Sequence, residues 1–135
     1  MKTRTVFIIF AVSIISVLVV GQALAAGSWS YYNLTVPGWG GTAVTNNHTK
    51  VSATDKSIVC SQGIGGNKTL SARIETLNND VAAGYQTISS LQRREYTLNP
   101  STAGAQYHAR LRNTNLVNVQ AIGWWSPDNP GGCGF

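Results

Sequence analysis

From residue 29 onward, apolar and polar positions alternate along much of the chain. In "SYYNLTVPG", Tyr32, Leu34 and Val36 share one face, while Trp29, Tyr31, Asn33 and Thr35 share the other. "GNKTLSARIETL" sets Leu70, Ala72 and Ile74 against Ser71, Arg73 and Glu75. "GAQYHARLRN" is the cleanest case, with Ala105, Tyr107, Ala109 and Leu111 alternating with Gln106, His108, Arg110 and Arg112. In "NLVNVQAIGWW", Val117, Val119, Ala121 and Trp125 fall on one face and Trp124 on the other. A period of two marks strands with one face buried and one wet.

Weaker strand patterns cover residues 41–46, 49–54, 57–61, 86–91 and 94–98. The breaks between segments carry turn chemistry: "VPGWGG", "GIGGN", "LNND", "LNPSTAG" and "RNTN". Residues 78–85 read as a helical turn, and no long amphipathic helix or internal repeat is evident. About eight short strands predict an all-β fold, a two-sheet antiparallel β-sandwich.

The first 25 residues break this pattern. Lys2 and Arg4 precede the apolar run "VFIIFAVSIISVLVV", and Ala23 and Ala25 form a small-x-small cleavage pattern. This is the layout of a secretory signal peptide, and the run is short of the ~20 residues of a spanning helix. The expected organisation is a signal peptide over 1–25 and one domain over 26–135. The product is then secreted, with no stable membrane span after cleavage.

Removing Lys2 and Arg4 from the 10 basic residues leaves 8 against 5 acids, a mild positive charge. No basic run exceeds Arg93-Arg94, so no nucleic-acid partner is expected. Asn, Thr and Ser dominate the polar residues, which suits pleated surfaces and turns. Two cysteines, Cys60 and Cys133, in an exported chain favour one disulfide, the alternative being two buried free thiols.

Catalytic chemistry has little to draw on. His48, His108 and five scattered acids make no recognisable catalytic or metal-ligand motif. No enzyme activity, cofactor or metal is therefore expected. His108, between Gln106 and Arg110, reads as solvated. "GIGGNKT" lacks the glycine before lysine that a phosphate-binding loop requires and reads as a hairpin turn. Three N-x-T triplets place Asn33, Asn47 and Asn67 in solvent.

Two sets of side chains stand out as candidate ligand contacts. Arg93, Arg94, Arg110 and Arg112 form a basic patch if their strands are neighbours. Trp29, Tyr31 and Trp124 fall on wet faces, and Trp39 sits in a glycine-rich turn. Exposed aromatic rings provide large contact area at low entropy cost, although loops or the C-terminal tail could cover them instead. The candidate binding residues are thus Trp29, Tyr31, Trp39, Trp124, Arg110 and Arg112.

The succession of a signal peptide, "LTVPGWGGTA", a Thr/Ser/Asn-rich centre and a terminal "GWWSPDNPG" resembles small secreted proteins of Gram-positive, spore-forming bacteria. That resemblance implies a bacterial extracellular β-sandwich and carries over no catalytic residues. The expected role is a non-enzymatic binding protein for a cell-wall or glycan ligand or a protein partner. The alternative is an antimicrobial or toxin-like protein acting on competitor cell envelopes.

Overall fold

A computed structural model describes residues 27–135; the expected signal peptide lies outside the described residues. Nine strands form: β1 (Ser30–Val36), β2 (Thr42–Val44), β3 (His48–Thr49), β4 (Ser57–Ile64), β5 (Leu70–Thr76), β6 (Val81–Ile88), β7 (Gln92–Tyr96), β8 (Gln106–Arg112) and β9 (Val119–Ser126). All pairings are antiparallel. One sheet has the order β1-β9-β4-β7; the other has the order β2-β8-β5-β6, with β3 also on β8.

One core collects the inward residues of both sheets. Tyr32, Val36, Val59, Ala121 and Trp125 come from the first, and Leu70, Ala72, Ile74, Tyr107, Ala109 and Leu111 from the second. All of these but Val59 are positions that the alternation marks as apolar, and their burial is the main favourable contribution to folding. Trp125 is fully buried and Trp124 faces outward, half-buried. The strand irregularity lies on β4, where the register shifts between Ser61 and Gly63, so the tryptophans keep their expected faces.

Gly123 has a steric reason. A Cβ there would stand 2.0 Å from the Cys60 carbonyl oxygen and 2.6 Å from the Tyr32 hydroxyl. The space it leaves admits the Tyr32 ring, whose hydroxyl donates to the Cys60 carbonyl at 3.0 Å.

Three expectations need correction. Residues 81–88 are a strand, not a helical turn; the β5–β6 register shifts twice, and those irregularities blur the period in the sequence. Within 49–54 only Thr49 is in a strand, because Lys50 turns into the interior. Its ammonium donates to the Asp55 carbonyl at 2.8 Å and the Pro127 carbonyl at 2.5 Å, and lies 3.4 Å from the Asp128 carboxylate. Asp128 in turn accepts from the amides of Val51 and Ser52. Val117 is in a loop and exposed, because β9 begins only at Val119.

Cys60 and Cys133 are bonded, 73 residues apart in sequence. Closing a loop of that length removes about 4 kcal/mol of unfolded-chain entropy in the usual model. In register, Cys60 lies between Trp124 on β9 and Arg93 on β7. The disulfide therefore fastens the C-terminal tail across the outer face of the first sheet, and Arg93 holds it again through Asn129 at 3.1 Å.

Candidate binding surfaces

Strand directions decide which loops share an end. β1, β4, β6 and β8 finish where β2, β5, β7 and β9 begin. Four loops therefore gather at one end: residues 37–41, 65–69, 89–91 and 113–118. They are cross-linked. The amides of Trp39 and Gly40 donate to the carbonyls of Asn115 and Asn113, each at 2.8 Å. The Asn115 side chain donates to the Thr69 carbonyl at 3.0 Å, and the Ile64 amide donates to the Ser90 hydroxyl at 2.8 Å. Asn113, fully buried, donates to the carbonyls of Val36 and Val117 and accepts from the amide and side chain of Asn115.

This end carries an apolar surface. Trp39 is 80% exposed, Leu91 65%, Leu116 64% and Val117 58%, the four most exposed large apolar side chains among the described residues. Trp39 and Leu91 also sit at positive φ, 60° and 57°. The other non-glycine residues there are Asn67 and Asn79, a residue type that tolerates the left-handed region, whereas Trp and Leu do not. Next to this end, Gly63, Ile64, Gly65, Gln120 and Ile122 line a depression of about 240 Å³. That is below the usual range for a pocket that encloses a ligand.

On the outer face of the first sheet Tyr31 stands directly across from Trp124. Their ring centroids are 5.7 Å apart at an interplanar angle of 63°. Trp29, half-buried, lies two residues before Tyr31. The structure thus brings Tyr31 and Trp124 together and leaves Trp39 apart, at the loop end. Tyr31 and Trp124 meet edge to face, so each ring spends part of its surface on the other.

The outer face of the second sheet holds a charged cluster. Glu75 is fully buried and accepts from Arg73 Nε at 2.8 Å, Arg110 Nε at 2.8 Å and His108 Nε2 at 2.8 Å. Burial alone would raise the Glu75 carboxyl, but the hydrogen bonds from Arg110, His108 and Arg73 outweigh it and hold its pKa at about 2. Arg110 is raised in turn, chiefly by its hydrogen bonds to Glu75. Its remaining nitrogens reach Thr42 and Asn79, and Arg73 stacks over Tyr85 at 4.7 Å. His108 is buried rather than solvated, because Glu75 and Asn47 cover both ring nitrogens. Arg110 is thus committed internally, while Arg112 is exposed at the loop end.

The four-arginine patch does not form, since β7 and β8 lie in different sheets. Arg93 and Arg94 are spent on Glu95, Asn129, Gln92 and Thr87. Asn33, Asn47 and Asn67 are exposed, as the N-x-T triplets suggest. The sequence reading takes neither Leu91 nor Leu116 as a contact and assigns Val117 to the buried face. An apolar pair inside turn chemistry, as in "NTNLVN", is the signal that points to Leu116 and Val117. No family model matches the chain, and neither a curated protein nor a solved structure matches it.

Proposed function

We propose that this protein is a secreted, non-enzymatic binding module of β-sandwich form that docks end-on against a cell-envelope surface. One observation carries the reading: the four most exposed large apolar side chains among the described residues all lie on loops at one end. Solvent-exposed apolar groups that cluster mark interaction sites. Left-handed backbone at a Trp and a Leu is strain of the kind that clusters at binding and active sites. The contact differs from the sequence expectation in its residues. Trp39 and Arg112 remain in it, Tyr31 and Trp124 form a lesser surface on a sheet face, and Arg110 leaves it.

The test is co-sedimentation with isolated bacterial envelope fragments, comparing the protein with a Leu91→Ser/Leu116→Ser variant. Both side chains are exposed, so the variant keeps the core. The protein should pellet and the variant should stay in the supernatant. Equal pelleting, or none by either, would remove the reading. The apolar character of the tip also favours a second reading, attack on competitor envelopes, which requires dye release from envelope vesicles as well as attachment.

A further inference from the structure

We infer that the loop end seats in the interfacial zone of an anionic phospholipid bilayer. This rests on the end-on contact just proposed and names its ligand.

The first ground is the shape and chemistry of the surface. Leu91, Leu116 and Val117 are aliphatic and project from loop tips, so Trp39 alone offers a flat ring there and most of the apolar surface is aliphatic. Small projecting aliphatic groups beside one tryptophan match a headgroup–acyl boundary, where the indole ring favours the headgroup level.

The second ground is charge. Every acid of the chain lies toward the opposite end. Asp55 precedes β4, Asp80 precedes β6, Glu75 and Glu95 stand next to last on β5 and β7, and Asp128 follows β9. The four loops at the apolar end hold no carboxylate. Two cations sit there instead: Lys68, exposed in 65–69, and Arg112, exposed at the end of β8. A Cβ on Gly40 would lie 3.8 Å from the Arg112 guanidinium, so that group reaches over the Trp39 loop. Neither cation has an acidic partner among the described residues, whereas Lys50, Lys56, Arg73, Arg93 and Arg110 all do. Exposed apolar side chains also occur at the far end, Leu77 and Val81 beside Asp80, and Val44 and Val51 elsewhere on it. An anionic surface therefore meets two unpaired cations at the loop end, whereas the opposite end offers the unpaired acids Asp55 and Asp80. Each cation brought to such a surface raises partitioning by roughly 5-fold, and salt screens that part of the attraction.

The experiment uses the whole protein and vesicles of phosphatidylcholine with or without phosphatidylglycerol, read by co-sedimentation. Vesicles with phosphatidylglycerol should bind the protein at least about 10-fold more strongly, and added salt should reduce the difference. Lys68→Gln/Arg112→Gln should lose most of the preference for phosphatidylglycerol. Trp39→Ser/Leu91→Ser should lose binding to both vesicle types. Equal binding to both vesicle types would overturn the inference, as would binding to phosphatidylglycerol that survives Trp39→Ser/Leu91→Ser. Failure to bind either vesicle, with envelope fragments still pelleting the protein, would transfer the contact to a glycan or protein and leave the end-on reading standing. Failure with both vesicles and fragments would remove both.

Discussion

The main-chain amide of Trp39 donates to the carbonyl of Asn115 across 2.8 Å, joining the loop after β1 to the loop before β9. The Trp39 ring, 80% exposed, is thus mounted on a fixed support. Fixing it in advance lowers the ordering cost of binding.

Asn113 is the centre of that support. Its side chain satisfies two carbonyls, of Val36 and Val117, and accepts from Asn115 twice. Asn113→Ala leaves these groups without partners in a buried place and should cost about 2–3 kcal/mol. Urea denaturation should show a lower midpoint at unchanged slope, and envelope binding should fall as the two loops separate.

Trp39 and Leu91 hold left-handed backbone that neither side chain favours. Replacing either by Asn should raise stability, by about 1 kcal/mol each, because Asn adopts that region more readily. The same replacements should weaken binding. Opposite signs for stability and binding are what a functional role requires; a fall in both would mean that these side chains pack structurally.

Gly123→Ala should be among the most damaging small substitutions. The new methyl would meet the Cys60 carbonyl backbone, which cannot rotate away as a side chain could. A loss of about 3 kcal/mol or more is expected from such overpacking. Tyr32→Phe removes the other clash partner's hydroxyl but not the Cys60 oxygen, so the double variant should remain destabilised. Thermal denaturation of the three variants checks this.

Glu75 gives the fold an acid-sensitive element. Its carboxyl titrates at about 2 in the folded chain, below its ordinary value of 4.5. A depressed carboxylate contributes stability that is fully present above the ordinary value and is lost as pH falls from there toward 2. The contribution is on the order of 2–3 kcal/mol. Glu75→Gln should be less stable than the native protein at neutral pH and should show a shallower loss between pH 5 and 2. Parallel pH profiles for the two proteins would contradict this.

Much of the scaffold is legible in the sequence, for a physical reason. Where a strand has one dry and one wet face, as in β8, alternation alone places Tyr107, Ala109 and Leu111 inward. The same rule separates Trp125 from Trp124, and the two cysteines find each other. The rule fails where polar groups are buried in pairs. His108 and Glu75 read as wet because their burial depends on Arg73, Arg110 and Asn47 arriving from elsewhere. Lys50 and Asp128 are distant in sequence and meet only after folding. The apolar loop end is the least legible feature, since Trp39, Leu91, Leu116 and Val117 become neighbours in role only once strand direction is known.

The end-on contact is tested most directly by amide hydrogen exchange on the protein with and without isolated envelope fragments. Protection should appear in 37–41, 65–69, 89–91 and 113–118, while 53–56, 77–80 and 97–105 at the other end exchange unchanged. Protection centred on Tyr31 and Trp124, or at the acidic end, would contradict it.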